Sequence, residues 1–205
     1  CSRIGAVANP LMPIFREREL KYMLGFGEAK VAVVPAMWRG HDHAAMLSDL
    51  RPELPNLRHV LVVGGETSSF ASELLSQPVT AADRRMLASR RPRPNDLALI
   101  MYTSGTTGEP KGAMHTANTL LAGPTNMLRD IPLTGDDIVL MGSPYAHLTG
   151  FMYGMMVPMR LGTTAVALDI WSQAAAADVI EREGCTFTMG ATPFLSDLVN
   201  IAPDQ

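Results

Sequence analysis

The sequence predicts an α/β fold, a mainly parallel sheet with flanking helices. Three observations carry this. Short apolar runs at 31–34, 60–63, 97–102 and 138–141 have strand length and composition. Stretches of helical period lie between most of them, the order that a parallel sheet covered by helices requires. A complete βαβ pattern then runs from 163 to 189.

In chain order, Ile4 to Val7 are mostly apolar and precede a turn-rich stretch, Asn9-Pro10-Leu11-Met12-Pro13. A helix is predicted over 16–24, with Leu20, Met23 and Leu24 on one face. The strand 31–34 stops at Pro35, and a second helix is predicted over 44–50, before Pro52. His41-Asp42-His43 stands ahead of it. Histidines at i and i+2 share a face only on a strand, so a helix start is favoured there over a metal site. The strand 60–63 ends in Gly64-Gly65. Residues 78–95 read as a solvated linker, with Arg84, Arg85, Arg90, Arg91, Arg93, Pro92 and Pro94. We therefore divide the chain into a first βα segment (about 1–77), the linker, and a segment from 96 to 205.

After the strand 97–102, Ala113-Met114-His115 is extended. Thr116 caps a helix that runs toward Arg129, with a kink or restart expected at Gly123-Pro124. Residues 138–159 hold no Asp, Glu, Lys or Arg, a length that would span a bilayer. Gly142, Pro144, His147, Thr149 and Pro158 instead break the run into strand, loop and short helix. Met152, Met155, Met156 and Met159 fall at i, i+3, i+4 and i+7, which predicts one helix face. In the βαβ pattern, 163–168 is a strand, Ser172 caps a helix over 173–183, Gly184 ends it, and 186–189 is the next strand. Gly190 to Leu195 opens another helix, with Pro193 in its first turn.

Composition bounds the function. The chain has 205 residues, 47% hydrophobic and 18% charged, which suits a globular domain with a core. A net charge of −3, with few aromatics beside the arginines, argues against nucleic acid as a partner. Cys1 and Cys185 form neither C-x-x-C nor a metal spacing and suit a reducing compartment, so a cytoplasmic location is expected. There is no initiator Met and no signal-peptide pattern, and the sequence reads as a piece cut from within a longer chain.

The chemistry concentrates in Tyr102 to Gly112, Y-T-S-G-T-T-G-E-P-K-G. Glycines let backbone approach an anion closely, and successive N–H groups form an anion-binding concavity. Thr103, Ser104, Thr106 and Thr107 add hydroxyl donors, and Lys111 adds a mobile positive charge. The pattern points to a polyphosphate. It is not a Walker A loop, because Pro110 and Gly112 stand where that motif needs glycine and a serine or threonine. Without the rest of the string, a Thr/Gly-rich surface turn would account for it.

This string resembles, without mismatch, the phosphate loop of the adenylate-forming enzymes: acyl-CoA synthetases, luciferases and peptide-synthetase adenylation domains. Two further stretches are similar to that family. One is G-A-V-x-N-P-x-x-P from Gly5 to Pro13. The other is P-Y-A-H-L-T-G, where Pro144, His147 and Gly150 are in register and Ala146 replaces the usual aromatic. The resemblance implies part of the large N-terminal domain, with the C-terminal domain absent. It implies that Thr103, Ser104, Gly105, Thr106, Thr107 and Gly108 cradle the β- and γ-phosphates of ATP with Lys111, and that Thr106 touches Mg²⁺. It places His147 between nucleotide and acyl pocket, and Thr192, Pro193 and Phe194 on the pocket wall. From the residues alone, His147 reads as a core histidine and the 192–194 stretch as an ordinary strand-to-helix turn.

The implied reaction joins a small-molecule carboxylic acid to AMP and then to CoA, with a medium-chain or alicyclic acid favoured. A carrier-protein adenylation domain and a non-catalytic phosphate-binding module remain alternatives. The family's Y-G-x-T-E and T-G-D segments, its hinge and its C-terminal lysine are missing. The 205 residues alone are therefore expected not to turn over.

Overall fold

A computed structural model describes residues 1–65, 69–103 and 108–201. The chain divides into two compact units, Cys1–Pro92 with Tyr102–Ala113, and Arg93–Met101 with Met114–Gln205.

In the first unit, helix α1 (Glu17–Phe26) places Leu20, Met23 and Leu24 on its buried face. Its start is held by the Glu19 carboxylate, which accepts from the Arg16 backbone N–H at 3.2 Å. Strand β1 (Val31–Pro35) follows, then a two-residue antiparallel pair, β2 (Met37–Trp38) with β3 (His41–Asp42). Helix α2 (His43–Leu50) is capped by Asp42, whose Oδ1 accepts from Ala45 N–H at 2.8 Å. It crosses over to β4 (His59–Val63), which pairs parallel with β1, Val33 opposite Leu61. Leu20, Leu24, Ala32, Met46, Leu47, Leu50, Leu54 and Leu57 form the core beneath this βαβ unit.

The stretch expected to be a bare linker, 78–95, carries helix α3 (Ala81–Ser89). Thr80 and Asp83 form a reciprocal capping box, a local device that nucleates a helix without burial. No residue of α3 is buried, and Arg93 pairs with Asp96 at 3.2 Å rather than standing free for a polyanion.

Strands β5 (Leu97–Thr103) and β6 (Lys111–Thr116) pair with each other. Their connection, 104–110, is too short for a crossover, so the pair is an antiparallel hairpin within an otherwise mainly parallel architecture. Leu99 and Met101 are buried and alternate with more exposed neighbours. The division between the two units passes through both strands of this hairpin. Residues 102–113 group with the first unit, where Tyr102 is hydrogen-bonded to α1.

In the second unit, helix α4 (Ala117–Asp130) starts at a Thr116–Thr119 capping box. It continues through Pro124 as one helix and does not restart there. Pro124 is itself buried, and Gly123 lies so close to Met152 that a Cβ there would sit 2.4 Å from its methyl group. Packing thus compensates for the lost helix hydrogen bond. Strand β7 (Ile138–Met141) is the centre of a three-stranded sheet of order β8-β7-β9. Its Val139, Leu140 and Met141 are fully buried, as the continuous apolar run requires of a strand covered on both faces.

The charge-free run then splits as expected, but its helix is a π-helix over Gly150–Met156 followed by α5 (Val157–Leu161). The methionine stripe does not hold as one face: Met152 is buried whereas Met159 is 72% exposed. The i→i+5 bonding of the π segment shifts the register on which an α-helical stripe depends.

Strand β8 (Thr164–Ala167), helix α6 (Gln173–Glu183), strand β9 (Phe187–Thr188) and helix α7 (Thr192–Val199) complete the unit. Both β8 and β9 run parallel to β7. The expected caps of α6 are present: Ser172 Oγ accepts from Ala175 N–H at 3.2 Å, and Gly184 is left-handed at φ 65°.

Candidate active site

The candidate residues fall into two groups, one in each unit. Of the phosphate-loop residues, Ser104, Gly105, Thr106 and Thr107 lie outside the described residues. Thr103 ends β5, and its hydroxyl reaches the Lys111 carbonyl at 3.5 Å, the outer limit of a hydrogen bond. Gly108 has φ 137°, a backbone region essentially reserved for glycine, and space for a Cβ around it is open. Lys111 opens β6 with an exposed side chain, and no ion pair to it occurs among the described residues. Glu109, the carboxylate of the loop, is also exposed.

The strand that leads into the loop is anchored at Tyr102. Tyr102 donates from its phenol to the Met23 carbonyl of α1 at 2.9 Å, and burial pushes its pKa above the usual tyrosine value. Gly27 makes this possible. A Cβ there would lie 2.9 Å from Met23 O, 3.3 Å from Asn9 Nδ2 and 3.4 Å from the Tyr102 hydroxyl. Asn9, from the G-A-V-x-N-P stretch, is thereby packed beside the base of the loop strand, with its Oδ1 buried and without a hydrogen-bond partner among the described residues. Tyr102 was legible only as the start of the loop motif, and nothing in the sequence pointed to Gly27.

In the second unit, His147 stands in the loop after β7, at the carboxyl end of the central strand. It is exposed, which removes the reading as a core histidine. A tight turn sets it: its N–H donates to Pro144 O at 2.9 Å, and its carbonyl accepts from Phe151 N–H at 2.9 Å. Gly150 closes this turn, because a Cβ there would lie 2.2 Å from Pro144 O. The imidazole Nδ1 accepts from Thr149 N–H at 3.2 Å. That bond assigns the proton of the neutral ring to Nε2, leaving Nε2–H as a donor for a ligand oxygen.

Thr192, Pro193 and Phe194 form the first turn of α7, after β9. Thr192 and Pro193 are exposed and Phe194 is half-buried. The structure therefore brings His147 and this turn to the carboxyl ends of neighbouring parallel strands, where open α/β sheets bind ligands. The Phe194 ring meets Trp171 edge-to-face, centroids 4.7 Å apart. Trp171 and its partner Asp197 carried no sequence signal of a site. A small cavity of about 110 Å³ lined by Leu140, Ile180, Cys185, Thr186, Phe187 and Thr188 includes none of the candidate residues.

No group of three or more His, Cys, Asp or Glu among the described residues suits a metal ion. His41 and His43 do come together, ring centroids 4.9 Å apart, but His43 is buried and belongs to the buried face of α2. No helix among the described residues is long and apolar enough to cross a membrane.

The family described as AMP-binding enzyme matches residues 1–205. A medium-chain fatty-acid–CoA ligase of Escherichia coli (strain K12) is 34% identical over 205 residues, 100% of this chain and 36% of the relative. A sulfoacetate–CoA ligase of Cupriavidus necator is 31% identical over 199 residues, 96% of this chain and 36% of that protein. Among solved structures, ATP-bound MatB from Rhodopseudomonas palustris superposes with a TM-score of 0.80 at 23% identity, covering 98% of this chain and 37% of its own. The chain thus spans about a third of the length of the curated relatives it matches.

Proposed function

The chain belongs to the AMP-binding enzyme family, and from that premise we propose that it forms part of an ATP-dependent acid–thiol ligase. The observation that carries this reading is the string Tyr102 to Gly112, spanning the end of one strand and the start of its antiparallel partner. A carboxylate oxygen attacks the α-phosphorus of ATP, and the bond to pyrophosphate breaks, leaving an acyl-adenylate. The CoA thiol then attacks the acyl carbon, loses its proton, and AMP departs.

Little covalent chemistry is required of the protein in the first step. Its work is alignment and charge stabilisation. Thr103, Ser104, Gly105, Thr106, Thr107 and Gly108 cradle the β- and γ-phosphates, and Lys111 pairs with them. His147 offers Nε2–H to a substrate oxygen, and Thr192, Pro193 and Phe194 border the acyl group. Mg²⁺ accompanies ATP in this reading, with Thr106 beside it. The described residues hold no carboxylate cluster for the ion.

A medium-chain or alicyclic acid is the substrate we favour, supported by the activity named for the E. coli relative and the Trp171 ring packed on Phe194. A cytoplasmic location is part of this reading, supported by two cysteines that are free, as suits a reducing compartment.

The test is acid-dependent release of AMP and pyrophosphate by the full-length polypeptide that contains these residues, assayed with CoA and a series of acids. Release with a medium-chain acid supports the reading. ATP binding with no acid-dependent turnover would leave only a phosphate-binding module, and transfer to a carrier protein but not to CoA would point to an assembly-line domain. The 205 residues alone should form no acyl-adenylate.

A further inference from the structure

We propose that Trp171 is a positioning residue that fixes the depth of the acyl cavity and so the length of acid accepted. The proposal rests on the ligase reading above and names the group that sets its substrate range.

Trp171 follows β8, yet its ring reaches across to the ends of the other two strands. It lies flat enough against Gly142, the residue after β7, that a Cβ there would sit 2.3 Å from Cε3 and 2.6 Å from Cζ3. On its other side it meets Phe194, at the start of the helix after β9, edge-to-face with an interplanar angle of 80°. Since β7 and β9 are hydrogen-bonded neighbours, the indole fills the space outside their carboxyl ends. That is where an open parallel sheet holds its ligand. An apolar chain reaching these strand ends beside Phe194 meets this ring.

The ring is also held. Its Nε1–H donates to Asp197 Oδ2 on α7 at 2.8 Å. Gln173 Nε2 donates to the Asp197 main-chain carbonyl at 2.8 Å. The segment after β8 is therefore tied to α7 at two points, which locks the indole rotamer and, through the ring contact, Phe194. A core tryptophan needs only apolar neighbours and one partner for its N–H. Here the ring is half-buried and is braced against the helix turn that the family resemblance assigns to the pocket wall.

The test is the kcat/KM profile of the full-length enzyme over straight-chain acids of increasing length. Trp171→Ala should move the optimum to longer acids, raising the long-to-short ratio at least about tenfold, on the scale of a methylene's discrimination in an apolar pocket. The change should appear in KM for the acid, with KM for ATP unaltered. Trp171→Phe, which keeps most of the ring volume without the N–H, should restore the wild-type optimum in part. Where Trp171→Ala does not fold, Trp171→Leu serves the same comparison. A profile lowered equally for every acid means packing alone and overturns the proposal. A wild-type enzyme with no acid-dependent AMP release overturns the ligase reading and the cavity with it.

Discussion

The phenol of Tyr102 donates a 2.9 Å hydrogen bond to the carbonyl of Met23, 79 residues earlier in the chain. It ties the last turns of α1 to the strand end from which the phosphate loop departs. The same carbonyl also accepts from Gly27 N–H at 3.1 Å, so removing the phenol leaves it partly satisfied. Tyr102→Phe should therefore cost about 0.5–1.5 kcal/mol, read as a lower urea midpoint at unchanged m-value.

Lys111 is exposed, so its charge contributes little to folding. A charge-assisted hydrogen bond to phosphate contributes about 1.5–3 kcal/mol. Lys111→Ala should lower kcat/KM for ATP on the order of 10- to 100-fold with an unchanged melting temperature. Wild-type kinetics in that variant would remove Lys111 from the phosphate site.

Because Thr149 N–H occupies Nδ1 of His147, the Nε2–H is the ring group left to donate to a substrate oxygen in the proposed reading. His147→Ala should lower kcat/KM for the acid on the order of tenfold, the loss of one hydrogen bond in the site. His147→Gln supplies an amide donor and should recover part of it. Equal effects of both variants would mean that the donor is not used.

Gly150 and Gly162 separate two kinds of constraint. A Cβ at Gly150 meets the Pro144 backbone at 2.2 Å, whereas Gly162 has φ 71° with open space around it. Gly150→Ala should destabilise by about 1–3 kcal/mol through overpacking and disturb His147 as well. Gly162→Ala should cost about 1–2 kcal/mol for its left-handed backbone and leave the site intact. Thermal unfolding combined with acid-dependent AMP release distinguishes them.

Burial, then the neighbouring His41 and Arg16 charges, hold the His43 imidazole below the usual range, with Asp42 opposing them weakly. As pH falls, the unfolded chain takes up this proton first. Stability is thus full at neutral pH and declines as pH drops through about 6.5, by at most about 1.4 kcal/mol per pH unit. His43→Gln should flatten the urea-midpoint profile between pH 7.5 and 5.5. An unchanged slope would assign that pH dependence to other groups.

The local features of the sequence transferred well to the structure because they are decided within a few residues. Asp42 was not foreseen as a cap, but Thr116 and Ser172 were, and each binds its own helix start. Leu20, Met23 and Leu24 share a buried face because helical spacing alone puts them there. Helix α3 was missed because its arginines and exposed surface masked a Thr80–Asp83 capping box that needs no core. The methionine stripe failed for a related reason: it assumed α-helical winding in a segment that adopts a π-helix.

By itself, the sequence determined most of the strand–helix order, the helix starts at Thr116 and Ser172 and the phosphate-loop string, since all depend on neighbours along the chain. Only tertiary structure decided that the loop strand folds back on β6, that Gly27 admits Tyr102 beside Asn9, and that Trp171 spans Gly142 and Phe194. Those contacts join residues far apart in sequence. Their selection rests on shape and on satisfying buried polar groups, which no local pattern encodes.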